Sequence, residues 1–476
     1  MPKFIVLKNL LFILVFIGSA TCVQSQTLNY YFGNLHAHTA YSDGNKDAAT
    51  SGVSTPSASY AYAKLSQNFD FLGISEHNHY SSANNPGMFL SLYAPGLAQA
   101  AAATTSTFLA LYGMEWGVST QPYSGHVVVY GFNQLIGWEA TGVPGNTPNY
   151  NVYNDKPDYD GLFTKVARNP NAFCTLAHPG GTDFSNIANI TYNITHDSAI
   201  VGSVFRNGLA TSAAADYTTY PATDYSWYYR KMLSVGYHLG ITYDHDNHYT
   251  NFGRGNAGRL VIMAPSLTSA NLYFAMKNMH FYASEDWNCH IDFKINTSIM
   301  GDSTSGTVKP TINVVHTDLD GELADSIKVW SGVEGSGVYS TVLNVVKSGN
   351  TLSFTDNAMV AGTNKYYFVE VVQADGDRII SSPIWYRLSS FSGVKEYINE
   401  FTFLMAPNPA HTMLYLSTDL KDDYKVEIVD VSGKLIYSEK FNEPNVKIST
   451  GQFASGFYTV KISNSKFMQT KKLVIE

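Results

Sequence analysis

An α/β barrel followed by two small all-β modules is the architecture the sequence predicts, and three observations predict it. From Gln26 to about Asp286, runs that read as buried strands alternate with helix candidates, the pattern of an α/β barrel or doubly wound sheet. From about Cys289 to Leu388 the chain changes to short alternating segments divided by turns such as Asp318 to Gly321 and Asp375-Gly376, which predicts a sandwich. After a linker, a third stretch from about Phe401 repeats that punctuated alternation, with Ser432-Gly433 as the turn of a hairpin.

The amino terminus reads as an export signal. Lys3 and Lys8 precede an apolar run from Leu10 to Ile17, too short to span a bilayer, and cleavage after Ser25 leaves Gln26 as the mature start. The predicted divisions are therefore a signal peptide at 1–25, a barrel at 26–288, a sandwich at 289–388, a linker at 389–399 and a terminal module at 400–476. Lys plus Arg number 30 against 38 Asp plus Glu, a formal charge of -8, which argues against nucleic acid as a partner because phosphate binding needs a basic face. Past the signal only Cys174 and Cys289 remain, too few for a disulfide framework. Cys174 sits inside an apolar run and reads as a small buried hydrophobe.

Within the barrel region, helix candidates run from Ser57 to Ser66 and from Tyr225 to Val235. Six segments place a metal-capable side chain in or just past an apolar run. They carry His36 and His38, His77, Glu115, His126, His178, and the group from Asp244 to His248. A seventh run, from Ala199 to Phe205, ends in Arg206-Asn207-Gly208 and supplies no evident ligand. Side chains at i and i+2 of an extended chain point the same way, so His36 and His38 can reach one cation. Of the 14 histidines, 12 lie between His36 and His290, a clustering that points to a shared site rather than scattered surface positions. In parallel α/β barrels functional groups collect where the strand ends converge on one mouth.

The ordered set His36-x-His38, Ser42-Asp43-Gly44, Glu76-His77, Gly113-x-Glu115, Ala177-His178-Pro179 and Asp246-x-His248 resembles the polymerase and histidinol phosphatase (PHP) superfamily of metal-dependent hydrolases. Gly258 to Pro265, Phe281 to Asp286 and Tyr366 to Tyr386 look like its secreted branch, which includes carbamate hydrolases. The resemblance implies a distorted (β/α)7 PHP-type barrel holding two or three divalent ions, zinc, manganese or iron. His36, His38, Glu115 and Asp246 would bind one ion, Glu115, His126 and His178 a second, and Asp43, His77 and His248 a third. Asp244 and His245 stand as alternatives to Asp246 or His248, because this chain has two aspartates and two histidines where the family has Asp-x-His. Glu76 replaces the family's more common Asp and is assigned a supporting place, and His79 reads as a wall residue. The terminal module, with Pro407-Asn-Pro409, Asp430, Gly433-Lys434 and Gly456-x-Tyr458, resembles the sorting domain of the type IX secretion system.

These readings imply a protein secreted or held at the cell surface, with the type IX machinery as partner and no transmembrane segment. They imply a hydrolase that uses a metal-bound hydroxide on a small-molecule or phosphoester substrate, the phosphate ester being the default. An amide, ester or carbamate is the alternative substrate, and a surface adhesin that holds metal without turnover is the alternative from another class. Glu115 and Asp246 are expected at the chemistry, with Arg254 orienting a substrate anion through a forked contact. Arg259 reads as a rim residue, and Glu285 and Asp286 either match the secreted branch or fix the junction between barrel and sandwich.

Overall fold

The computed structural model describes residues 27–80, 88–118, 124–145, 147–389, 401–420, 422–464 and 467–476. The expected signal peptide and nearly all of the expected linker lie outside the described residues. The chain divides into two compact units, 1–390 and 391–476.

Nine strands position the site: β1 (Asn29–Asn34), β2 (Phe71–His77), β3 (Leu109–Val118), β4 (Gly125–Tyr130), β5 (Phe173–Ala177), β6 (Ile200–Asn207), β7 (Gly240–Asp244), β8 (Arg259–Ala264) and β9 (Phe281–Ser284). They lie side by side in the order β9-β8-β1-β2-β3-β4-β5-β6-β7. Strands β1, β2 and β3 are parallel, with helices Pro56–Ala63 and Leu90–Ala103 in the connections. Both β2 and β3 are buried along their whole length, which is why they read as unbroken apolar runs rather than alternating ones. Thr55 starts the first helix by accepting from the Ala58 amide at 3.3 Å, and Pro56 follows at the first helical position, where its missing N–H costs nothing. Helix Ser226–Val235 stops at Gly236, whose φ of 115° is one a side chain resists.

The (β/α)7 PHP-type barrel with two separate sandwiches is not what this chain forms. Strand outweighs helix, 41% against 16%. β4 runs antiparallel to both β3 and β5, and β8 runs antiparallel to β1 and β9. Connection length is the physical reason at β3 and β4. Only residues 119–124 separate Val118 from Gly125, whereas a parallel neighbour needs a crossover of about a dozen residues or more. Nor does the first sheet end where the barrel was expected to end. β9 pairs with Arg378–Ser381, and that strand continues through Asn364–Gln373 and Ile384–Leu388 into one 15-stranded mixed sheet. The core is shared accordingly, since Tyr229 and Leu239 belong to the same buried cluster as Tyr366, Phe368 and Trp385. A four-stranded sheet built on Cys289–Ile295 and Thr311–Asp318 packs its alternate apolar residues, Ile291, Phe293, Ile312 and Val314, into a second cluster.

The carboxyl end of β7 folds back onto the segment after β1. Asp246 N–H donates to the His36 carbonyl at 2.8 Å, His38 N–H to the Asn247 carbonyl at 3.1 Å, and Lys46 N–H to the His248 carbonyl at 2.9 Å. These bonds bring together two stretches some 200 positions apart in the chain, and they set the site.

The second unit has a three-stranded and a four-stranded sheet around Phe403, Leu414, Leu416, Val426, Ile428, Val460, Ile462 and Leu473. Its turn at Asp430 to Lys434 pairs Tyr424–Asp430 with Leu435–Phe441, with Gly433 at a φ of 83°. The Asp430 carboxylate accepts from the Ser432 and Lys434 amides at 2.9 and 3.0 Å, a side-chain turn of the kind aspartate favours.

Candidate metal centre

Six segments deliver nine donor residues to one place. His36 and His38 follow β1, Asp43 sits on the turn beyond them, and His77 is the last residue of β2. Glu115 lies on β3 directly opposite His77, and His126 on β4 faces Ala177, so His178 falls beside it at the end of β5. Asp246 and His248 come from the segment after β7. All are buried except His126 and His178, which are half-buried.

Glu115 is the hub. Its Oε1 lies 3.1 Å from His36 Nε2, 2.9 Å from His126 Nδ1 and 3.2 Å from His178 Nε2. Its Oε2 lies 3.2 Å from His38 Nε2 and 3.1 Å from His77 Nδ1. Asp246 Oδ1 is 3.3 Å from His36 Nε2 and 3.2 Å from His38 Nε2, and Asp43 Oδ1 is 3.2 Å from His248 Nε2 and 3.6 Å from His77 Nε2. Donor atoms within 4.8 Å of one another form three groups: His36, His38, Glu115 and Asp246; His38, Asp43, His77 and His248; and His77, Glu115 and His126. The first coincides with the set the resemblance implies. The third expected set gains His38, and His77 stands beside Glu115 and His126 in the place foreseen for His178. His178 itself contacts Glu115 and, at 3.3 Å, His126.

The donor chemistry fits divalent ions. His36 Nε2, His77 Nδ1, Glu115 Oε2 and Asp43 Oδ1 are buried without a hydrogen bond, although other donor atoms crowd around them. Such groups are costly to bury unless something satisfies them, and lone pairs converging from imidazole and carboxylate suit zinc, manganese or iron. Burial pushes the His36 imidazole down, but Glu115 and Asp246 override it and hold the pKa well above the ordinary value. Burial would raise the Glu115 carboxyl, yet His126, His36 and His77 hold it well below its usual range. For His77 burial wins, and its pKa is lowered.

A layer of polar side chains orients these donors. Asp244 Oδ2 sits 3.2 Å from His36 Nδ1, so it fixes the ring while the opposite nitrogen faces the cluster. His245 is buried and donates from Nε2 to the Gly258 carbonyl at 2.7 Å. Asp244 and His245 therefore stand outside the three donor groups, where Asp246 and His248 are found. Glu76 is fully buried and accepts from the Thr39 amide and from the Thr39 and Ser42 hydroxyls, tying the Asp43 turn to β2. Burial raises the Glu76 carboxyl to about 7, against the pull of His38 and these donors. His79 stacks on Trp138, and burial lowers its pKa to about 4. His178 and Asp246 hold φ values of 27° and 47°, conformations that non-glycine residues adopt at a cost and keep where surrounding contacts enforce them.

Both arginines have partners outside the donor set. Arg254, expected to orient a substrate anion, stacks on the Tyr62 ring at 4.4 Å and donates to Ser66 Oγ at 3.3 Å. Arg259 is no rim residue: it is fully buried among backbone carbonyls. Glu285 pairs with Arg206 at 2.7 Å and accepts from the Arg378 amide at 2.8 Å, while Asp286 accepts from Gln373. Asn207, at the end of β6 opposite Asp244, ends the run with no evident ligand, yet its amide donates to Asp246 Oδ2 at 2.8 Å. Its position just past an apolar run was the available signal, and its amide, being no usual metal donor, hid it.

Residues 405–476 match the secretion system C-terminal sorting domain family, of the type IX class. This tail assigns the chain for export, to the cell surface or the medium. Among the described residues no helix is long and apolar enough to cross a membrane. The comparison with curated proteins gave no match. Among solved structures, the fibronectin(III)-like modules of Clostridium thermocellum CbhA align at 16% identity and a TM-score of 0.15, over 38% of this chain and 92% of theirs. The FN1-FN3 domains of chicken CNTN1 align at 12% and 0.18, over 39% and 67%, and the human OSCAR ligand-binding domain at 14% and 0.18, over 39% and 97%.

Proposed function

We propose that the first unit is a metal-dependent hydrolase acting on a phosphate ester at a centre of two or three divalent ions, zinc, manganese or iron. The observation that carries this reading is Glu115, whose two carboxylate oxygens face five imidazoles from four different segments within 3.2 Å. A carboxylate so placed suits a bridge between ions. The order of the PHP-like motifs along the sequence supports the same reading, independently of how the sheet is assembled. Bound divalent ions supply water of lowered pKa and polarise the scissile group.

The chain's own residues do the rest. His36, His38 and Asp246 would hold one ion with Glu115, and His38, Asp43, His77 and His248 would hold another. Asp244 keeps the His36 ring turned inward. The His178 side chain, 24% exposed, is the donor most open to a substrate.

A second reading, hydrolysis of an amide, ester or carbamate, is favoured by the placement of Arg254 on Tyr62. With that arginine engaged on Tyr62, a basic side chain beside the donors is Lys46, whose amine lies 3.8 Å from Asp43 and is 44% exposed. A neutral carbonyl needs less positive charge around it than a phosphate does. The test is turnover of nitrophenyl phosphate and nitrophenyl acetate by chelator-stripped protein reloaded with Mn2+ or Zn2+. Phosphate turnover abolished by chelation is the expected result. Ester turnover alone supports the second reading, and inactivity on both, with metal bound, supports an adhesin.

A further inference from the structure

We infer that Asn207 is a positioning residue that holds the Asp246 carboxylate so that only one of its oxygens faces the ions. This inference rests on the metal-centre reading above. The two oxygens of Asp246 have different partners. Oδ1 faces His36 Nε2 and His38 Nε2 at 3.3 and 3.2 Å, whereas Oδ2 accepts from Asn207 Nδ2 at 2.8 Å. A carboxylate on a flexible bond can turn to offer either oxygen or both, and a donor on Oδ2 removes that freedom.

The backbone brings the two residues together. Asn207 ends β6 directly opposite Asp244, and the Gly208 amide donates to the Asp244 carbonyl at 2.9 Å, so the two strand ends are pinned together. Asp246 lies two residues beyond, at a φ of 47°. Its amide is held by the His36 carbonyl at 2.8 Å, and its own carbonyl accepts from His248 Nδ1 at 2.9 Å. Backbone and side chain are thus each fixed by a separate partner, and Asn207 supplies the side-chain one. Losing such an outer partner typically weakens metal binding about 10- to 100-fold.

The test is competitive Zn2+ titration of the chelator-stripped full chain in four forms: wild type, Asn207→Ala, Asp246→Asn and the double variant. Asn207→Ala is expected to weaken the affected ion about 10- to 100-fold in the wild-type background. In the Asp246→Asn background, where no carboxylate remains to orient, the further loss should stay within about twofold. An equal loss in both backgrounds assigns Asn207 a general structural part and overturns the inference, as does undiminished affinity in Asn207→Ala. Should Asn207→Ala fail to fold, Asn207→Leu removes the same donor at near-constant volume and is read by the same criteria. Wild-type protein that takes up none of Zn2+, Mn2+ and Fe2+ in the same titration removes the metal-centre reading together with the inference. Uptake by wild type with no dependence on Asn207 removes the inference alone.

Discussion

Arg259 has no access to solvent, yet its guanidinium meets the carbonyls of Gln67, Asn68, Gly253, Asn256 and Gly258 at 2.8 to 3.1 Å and lies over the Phe69 ring. Burial lowers its pKa to about 10, which leaves the charge intact at neutral pH. Gly258 also receives His245, so the arginine braces the segment that leaves β7 and carries His248. Arg259→Met would strand several buried carbonyls at once, and we expect it to cost at least about 3 kcal/mol in denaturant unfolding. A cost below about 1 kcal/mol would show that water replaces the guanidinium. The arginine's sequence position, at the head of an apolar strand, is shared by many surface arginines. Three of its five backbone acceptors lie just before it, at Gly253, Asn256 and Gly258, but the carbonyls of Gln67 and Asn68 come from some 190 positions away and cannot be read from the residues beside it.

At the scale of elements, β3 matters most because it carries Glu115. A Cβ added to Gly113 would strike the Val129 carbonyl of β4 and the Tyr130 ring, and a backbone carbonyl cannot move aside as a flexible side chain can. Gly113→Ala should therefore cost about 1–3 kcal/mol and draw Glu115 away from His126. Lower thermal stability together with lower metal content checks this, and an unchanged melting temperature contradicts it. The turn before Arg378 has an electrostatic counterpart. Burial, with Asp375, Glu285 and Glu322 nearby, raises the Asp377 carboxyl to about 7. Between the unfolded value of about 3.9 and 7 the folded chain keeps a proton that the unfolded chain has released, so Asp377 costs stability progressively as pH rises through that window. Asp377→Asn should match wild type near pH 4 and exceed it near pH 8 in melting temperature. A gap independent of pH would refute the shifted carboxyl.

Strand existence and the donors on the strand ends were legible in the sequence, because an apolar run followed by His, Asp or Glu survives in one dimension. Pairing direction was not, since a fully buried strand looks the same whether its neighbour runs with it or against it. The six residues between Val118 and Gly125 do carry the answer for β4, being too few for a parallel crossover. The partners of Arg254 are hidden in the sequence for a related reason. Nearness in sequence to His248 says nothing of direction, and the side chain turns to Tyr62.

For the whole molecule, the separation after residue 390 has a functional meaning. Every donor of the proposed metal centre lies in the first unit, and the match to the sorting domain lies in the second. A chain ended at Ser389 should therefore bind metal as the full chain does while failing to leave the cell. Loss of metal binding on truncation, measured on purified protein, would contradict that division of labour. The most direct test of the account is elemental analysis of the purified full chain beside its Glu115→Ala variant. We predict two or three equivalents of zinc, manganese or iron in the wild type and a loss of about two in the variant, as befits a bridging carboxylate. A wild-type chain free of metal after exposure to all three ions, or a Glu115→Ala chain with undiminished content, would contradict it.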